Sequence, residues 1–139
     1  MNLPHFESLA QTLYVRMQAL DCLVSEKVFL DRLEPVDRKE CPCVVVRMVE
    51  CSPSGQDGNT WVLSLGVELV TYATDTPRAE RSAISKMIYD AVMGERTLGD
   101  KATFLTPQGL RFDAANSDGH ANAVIHLFSA TYRQSSMRL

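Results

Sequence analysis

The stretch TWVLSLGVELVTY, residues 60–72, decides the fold class because apolar and polar side chains alternate along it. Successive side chains of a β-strand point to opposite faces, so a period of two over this length predicts a long strand with one face buried. The side chains of the predicted buried face are Trp61, Leu63, Leu65, Val67 and Leu69.

A second strand is predicted immediately before it, at 43–49, where Pro42 opens the run CVVVRMV. β-Branched residues are stiff at χ1 and favour strands over helices. The intervening SPSGQDGN, residues 52–59, is rich in glycine and small polar residues, which are typical of turns. We therefore expect these two strands to form an antiparallel hairpin.

Two segments have the apolar spacing of three to four residues that predicts amphipathic helices. The first covers residues 4–22. The second follows Thr74–Pro77, which offers an N-cap side chain and a proline suited to the first helical turn, and it stops at Gly94. The predicted apolar faces are Phe6, Leu9, Ala10, Leu13, Met17 and Leu20 in the first helix, and Ala83, Ile84, Met87, Ile88, Ala91 and Val92 in the second.

Runs of strands separated by helices, with no regular strand-helix alternation, predict an α+β fold. We expect an antiparallel (mixed) sheet with two amphipathic helices packed on one face, in a single domain spanning 1–139. The other predicted elements are a short strand at 27–31, a charged solvated loop at 32–40, turns at 97–100 and 116–119, strands at 109–114 and 121–133, and a polar, frayed tail at 134–139.

Composition argues against several classes of function. The chain of 139 residues has a net charge of -3, and its 14 Lys and Arg residues are scattered, so a general nucleic-acid binder is disfavoured. No apolar run reaches the length of a membrane span, and the N-terminus lacks the pattern of a secretory signal. We expect a protein that is cytoplasmic or packaged from the cytoplasm.

The histidines and carboxylates do not predict an active site. His126 shares a strand face with Val124 and Phe128, and no carboxylate or thiol lies at ligand spacing, so we expect a packed or surface imidazole and not a catalytic one. His120 falls in a predicted turn, and the acidic residues around Glu34 are typical of a solvated loop. No nucleophile elbow, P-loop, dinucleotide fingerprint or metalloprotease motif occurs. The prediction is therefore a non-enzyme with no catalytic, cofactor-binding or metal residues and no cofactor.

The four cysteines, Cys22, Cys41, Cys43 and Cys51, all precede residue 52. A zinc site at the C-x-C pair would need two further ligands at a suitable spacing, and no histidine is near in sequence. Without a secretory signal, reduced thiols that pack as small hydrophobes are expected.

The second face of the predicted sheet is not fully polar. Val62, Val70 and Tyr72 accompany Ser64 and Glu68 on residues 60–72, and we expect Val124, Phe128 and Tyr132 to lie on the matching side of the last strand. Apolar residues on both faces predict burial of the second face by oligomerisation, or alternatively a central strand of a small sandwich.

The order of elements resembles one known family. It runs from an amphipathic helix through ECPCVVVRMVE (40–50), a Gly/Asp loop, TWVLSLGVELVTYA (60–73) and a second helix to a hairpin ending in TYR (131–133). This layout, with its P-x-V-V-V and D-x-x-T-W-x-x-x-L-x-V-x-L patterns, resembles the tail terminator proteins of long-tailed bacteriophages, the minor tail protein U or tail completion group. The resemblance spans nearly the whole chain.

The resemblance implies an architectural role in the virion, after assembly in the host cytoplasm. Such proteins form a hexameric ring that caps the tail tube, stops polymerisation of the tube protein and offers a surface to the head-side connector. DNA passes only through the lumen, and no membrane, cofactor or catalytic residue is involved. The loops 52–59 and 32–40 are candidates for ring or tube contacts. The alternatives are a head-tail connector or completion protein, and a cytoplasmic ligand-binding regulatory domain.

Overall fold

The structure, a computed structural model, describes residues 4–20, 26–32, 34, 36–55, 58–72, 75–113 and 121–134. It contains two α-helices, five β-strands and a short 3-10 turn. In chain order, these are α1 (His5–Gln18), β1 (Val28–Leu30), the 3-10 turn (Arg38–Glu40), β2 (Cys43–Pro53), β3 (Thr60–Tyr72), α2 (Arg78–Met93), β4 (Phe104–Asp113) and β5 (Ala121–Arg133).

The strands form one mixed sheet in the order β1-β2-β3-β5-β4. The pairs β2–β3, β3–β5 and β5–β4 are antiparallel, and β1 lies parallel to β2 at the edge. This arrangement confirms the predicted α+β fold. The predicted long strand at 60–72 is the centre of the sheet, hydrogen-bonded on both sides along its length.

Both helices pack on one face of the sheet, which we call the helix face. The alternation predicted for β3 is confirmed, because Leu63, Leu65, Val67 and Leu69 are at most 1% exposed. They meet Leu9, Leu13 and Met17 of α1 and Ile84, Ile88 and Val92 of α2 in one hydrophobic core.

Both helices differ from the prediction at one end: α1 ends earlier, and α2 begins with a different cap. α1 ends at Gln18, where the Ala19 N–H bonds to carbonyls of the last turn, although Leu20 is still buried. The predicted helical residues 21 and 22 lie outside the described residues. In α2 the N-cap is Pro77 itself, so the prediction that a preceding side chain caps the helix with proline in the first turn is wrong. The N–H groups of Asp75 and Thr76 instead donate to the Tyr72 carbonyl.

Two strands extend beyond their predicted limits. β2 continues to Pro53 through a bulge after Met48, so the predicted loop 52–59 shrinks to 54–59. β4 begins at Phe104 and not at residue 109, because a second irregularity between Pro107 and Gly109 lets the strand accommodate the proline. Gly109 has a φ of 113°, a conformation that favours glycine.

The second face of the sheet differs from the prediction at β5. Val124, Phe128 and Tyr132 pair with Leu69, Leu65 and Trp61, so they lie on the helix face. The expectation that they share a side with Val62, Val70 and Tyr72 is therefore wrong. The prediction failed because the register pairs odd-numbered residues of β3 with even-numbered residues of β5. Paired residues of neighbouring strands lie on the same face of the sheet, so the even-numbered residues of β5 lie on the face of Leu63 and Leu65.

The structure describes only part of the two predicted turns and the predicted C-terminal tail. The turn at 97–100 is present, with positive φ values at Leu98, Gly99 and Asp100. The turn at 116–119 and residues 135–139 of the predicted tail lie outside the described residues. The first residue of that tail, Gln134, is anchored to the fold, because its N–H donates to the Asn59 carbonyl at 2.6 Å.

Candidate interaction surfaces

β4 combines an open sheet edge with exposed apolar side chains. It hydrogen-bonds to β5 from Phe104 to Asp113, and no described strand pairs with its other side. Leu110 and Phe112 lie on the helix face and are 50% and 72% exposed, and Phe104 on the second face is 45% exposed. Sequence reasoning predicted a strand here but missed its exposure, because an apolar-polar alternation gives no indication of whether a helix covers the strand.

A cavity of about 340 Å³ lies between α2 and β4 on the helix face. Its floor includes His126 and Phe128 of β5, and its walls include Ser85, Tyr89 and Leu110. The lining is mainly apolar, and Tyr89 at the rim is 41% exposed. The cavity exists because α2 packs over β3 and leaves the space above β5 and β4 partly unfilled.

His126 is the main polar group beneath this cavity. It is 2% exposed, and its Nε2 shares a hydrogen bond of 2.7 Å with Ser85 Oγ. Burial lowers the pKa of His126 to about 4, so the ring is neutral near pH 7. Its Nδ1 has no hydrogen-bond partner among the described residues, and no carboxylate orients the ring there. The predicted packed imidazole is confirmed, and the site lacks the third group that a Ser-His catalytic arrangement uses.

The opposite edge of the sheet, at β1, lies in a groove. The groove has a volume of about 1040 Å³ and is bounded by Tyr14 of α1 on one side and by Arg32 and Glu34 on the other. β1 pairs with β2 alone among the described strands. Val28 and Leu30 align with Val44 and Val46 and face the helices, and Phe29 faces the other way, beneath the Arg32 guanidinium at 4.5 Å from the ring centroid.

The charged loop at 32–40 does not simply extend into solvent. Arg32 Nη2 donates to Glu40 Oε1 at 2.8 Å, which lowers the pKa of the Glu40 carboxyl. Arg38 donates to both carboxylate oxygens of Asp75, each at 2.8 Å, and lies 5.9 Å from the Tyr72 ring centroid. The loop thus lies over one end of the second face, where Val45 is fully buried and Tyr72 is 6% exposed.

The rest of the second face is less covered. Val49 at the β2 bulge is 62% exposed. A Cβ on Gly66 would lie within 4 Å of the side chains of Val49, Ile125 and Leu127, so a glycine here lets these side chains close over the middle of β3. The structure thus brings the loop 32–40 and the loop 54–59 to opposite ends of β2, and the two do not form one site.

The loop after α2 is tied to α1 through polar contacts. Arg16 bonds to the Val92 carbonyl and to the Glu95 carboxylate, both at 3.0 Å. Glu95 also accepts hydrogen bonds from Thr97 and Gly99, which lower its pKa to about 2. His5 stacks on Tyr132 with ring centroids 4.6 Å apart. These contacts close the helix face beside the start of β4, where Phe104 pairs with Thr131.

The described thiols do not form a metal site. Cys41, Cys43 and Cys51 are free, and no cluster of three metal-binding side chains occurs in the described ranges. Cys43 is buried, and the hydrogen bond that its thiol donates to Cys41, followed by burial, raises the pKa of the Cys43 thiol. Cys22 lies outside those ranges. In the part of the chain that is described, no helix has the length and apolar character needed to cross a membrane.

Comparison with solved structures finds chains that share this fold. A chain in the structure titled "Virion of native gene transfer agent (GTA) particle" shares the fold, with a TM-score of 0.57 and 15% sequence identity, over 88% of this chain and 93% of that chain. No protein-family model and no curated protein sequence matches. The two chains therefore share their fold over most of their lengths.

Proposed function

We propose that this chain is a structural subunit of a virion, acting as a tail terminator. The observation that carries the proposal is the fold shared with a chain of a gene transfer agent virion, at a TM-score of 0.57 over nearly the full length of both chains. The independent resemblance of the sequence to tail terminators of long-tailed bacteriophages narrows the role to the end of the tail tube.

In this proposal six copies form a ring that caps the tube, ends polymerisation of the tube protein and presents a surface to the head-side connector. A ring requires two unlike surfaces on each subunit. The open edge at β4 and the groove at β1 are unlike surfaces at opposite ends of one sheet. The role needs no catalytic step and no cofactor, and the net charge of -3 suits a lumen through which DNA passes.

Two alternatives have distinct supports. A head-side connector or completion protein would also be a virion component with a ring-forming domain, and differs only in its partner. A ligand-binding regulatory domain is favoured by one observation, the apolar cavity of about 340 Å³ beneath α2. That cavity lies on the helix face, between α2 and β4.

The test is a capping assay with tail tube protein of the same particle. We expect the chain, added to polymerising tube protein, to shorten the tubes and to be seen by electron microscopy as a six-membered ring at one tube end. Native mass spectrometry of the complex gives the stoichiometry. Binding to the portal-side ring with no effect on tube length would favour the connector. A monomer that caps nothing and retains a small molecule on purification would favour the ligand-binding domain.

A further inference from the structure

β4 is protected as an edge strand only over its first half, where Arg96 donates to the Leu105 carbonyl and Pro107 interrupts the strand. It has ten residues, and the main-chain groups on its outer side have no described strand partner. Exposed edges pair readily with other chains unless charge, proline or a covering segment prevents it. Pro107 and the nearby irregularity interrupt the middle of β4, but Leu110 and Phe112 after them expose apolar surface at the same edge.

The helix layer ends before β4. Packed helices lie about 8 to 10 Å apart and strands about 4.8 Å apart, so two helices cover about four strands. α1 lies mainly over β1 and β2, and α2 lies over β3 and, through Ser85 and Tyr89, over β5. The fifth strand therefore has no helix of its own, which explains both the cavity beside Tyr89 and the exposure of Phe112.

The β1 edge has the complementary shape. It is recessed in its groove, and α1 overhangs it through Tyr14. If a neighbouring β4 continued the sheet past β1, its Leu110 and Phe112 would lie beside Val28 and Leu30 on the helix face. The α1 helix of the copy that supplies β1 would then lie beside the uncovered β4 and extend the helix layer over it.

Charges on the second face also match across the two edges. Arg111 is exposed on β4, aligned with Ile125, and makes no ion pair within the described residues. Glu34 lies near Phe29 at the β1 edge, where its carboxylate is 3.3 Å from Arg32 Nε and its side chain is 78% exposed. A cation at one edge and an exposed carboxylate at the other favour contact between unlike ends of two copies.

We propose that the free edge of β4 in one copy pairs with β1 in the next copy, so that the sheet runs from subunit to subunit around the ring. Phe112 contacts the neighbour beneath its α1, and Arg111 pairs with the neighbour's Glu34. The contact joins different surfaces, so it repeats from copy to copy and does not stop at a dimer, and the proposed ring requires the rotation between copies to close after six. This inference rests on the proposed ring role and assigns the surfaces that build the ring.

The first variant for the test is Phe112→Asp, with Val15→Asp as its matched control. Both residues are exposed, and Val15 is 52% exposed on α1, away from its buried side. We expect Phe112→Asp to raise the concentration at which half the chains are in rings by at least about tenfold, equivalent to about 1.4 kcal/mol per contact, with Val15→Asp unchanged. Native mass spectrometry over a dilution series measures the assembly, and circular dichroism confirms folding.

The second test is a charge swap, which also covers the case in which Phe112→Asp does not fold. Arg111→Glu and Glu34→Arg should each raise the concentration needed for assembly by about fivefold, which is the effect expected from losing one accessible ion pair. The double variant should recover most of the lost assembly, because the two charges are exchanged. The inference would be overturned if Phe112→Asp formed rings at the same concentration as the wild type. It would also be overturned if the double variant assembled no more tightly than the single variants. Neither outcome would count against tube capping.

A third outcome would assign the edge to a different occupant. If the wild type caps tubes without any contact between copies, and Phe112→Asp abolishes tube binding, β4 docks on the tube protein and the inference of a second copy is overturned. Failure of the wild type to cap tubes would instead count against the proposed function.

Discussion

The two ends of the sheet differ in what covers them. At β2 and β3, helices cover one face and the loop 32–40 covers part of the other, so Val44, Val45 and Val46 are fully buried. On β4, Leu105 in the first half is fully buried, but the helix layer does not reach the second half, where Phe112 is 72% exposed. The chain is long enough to bury a core, so the open end reflects a helix layer narrower than the sheet and not a shortage of apolar residues.

This difference separates residues that stabilise the fold from residues that serve assembly. The first end contains the contacts on which folding depends, and the second carries apolar area that only a partner can bury. Changes of the same kind at the two ends should therefore have opposite consequences for stability and for association.

The largest expected effect comes from matched truncations at the two ends. Leu65 is fully buried at the centre of β3, and Leu65→Ala should lower the free energy of unfolding by about 3 kcal/mol through lost burial and a residual cavity. Phe112→Ala removes a larger side chain but should lower it by less than about 0.5 kcal/mol, since the ring is mostly in solvent. Urea denaturation of both variants measures the difference.

Equal losses in the two variants would contradict the comparison. A large loss at Phe112 would mean that this side chain is buried within its own chain in solution. The control is Leu105→Ala, because Leu105 lies on β4 yet is fully buried, and it should behave like Leu65. That result would mean that the loss of stability depends on how well the rest of the fold covers a side chain, and not on the strand that carries it.

The second prediction concerns His126, at the boundary between the two ends. Its pKa is about 4 in the folded chain and near 6.5 when unfolded, so the unfolded state binds more protons between these values. The contribution of neutral His126 to the free energy of unfolding is therefore complete above pH 6.5. About 3 kcal/mol of it is lost as the pH falls from 6.5 to 4. Denaturation curves measured from pH 7 to pH 4 should show this loss.

His126→Gln is the variant that isolates the contribution of His126. Glutamine does not titrate, so its unfolding free energy should fall less steeply over the same pH range, whatever its stability at pH 7. The residual slope belongs to carboxylates such as Glu95, whose pKa of about 2 lies below its ordinary value. Identical slopes in the wild type and the variant would show that His126 does not remain neutral and buried.

Local sequence patterns predicted the secondary structure well where one layer of packing decides it. The alternation in β3 and the stripe of Ile84, Ile88 and Val92 in α2 depend only on which side faces the core, and both are confirmed. Ala83, predicted on the same face of α2, is exposed because it lies at the edge of that stripe. The fold class followed from the order of these elements.

Features set by contacts between distant segments could not be predicted from the sequence. The side on which Phe128 and Tyr132 lie depends on the register of β5 against β3, which no local pattern fixes. Burial of His126 against Ser85 joins residues 41 positions apart, and the exposure of Phe112 depends on the width of the helix layer. The candidate surfaces are therefore properties of packing, and the sequence predicted only the strands that carry them.

The smallest expected effect lies at the loop that covers the second face. Arg38→Ala removes two hydrogen bonds to Asp75, but both side chains are largely exposed, at 57% and 42%. Such pairs contribute little, so we expect a small loss of stability at low salt that high salt removes. The sharper signal is the pKa of Asp75, which Arg38 holds below its ordinary value and which should rise in the variant.

An NMR titration of the Asp75 carboxyl measures that rise, with Lys39→Ala as the control. Lys39 is the next residue, is exposed and forms no ion pair in the described part of the chain, so its removal should leave the Asp75 pKa unchanged. If Arg38→Ala leaves that pKa where it is, Arg38 and Asp75 do not pair in solution. The loop would then lie less firmly over Tyr72, and the two ends of the sheet would differ in their helix layer alone.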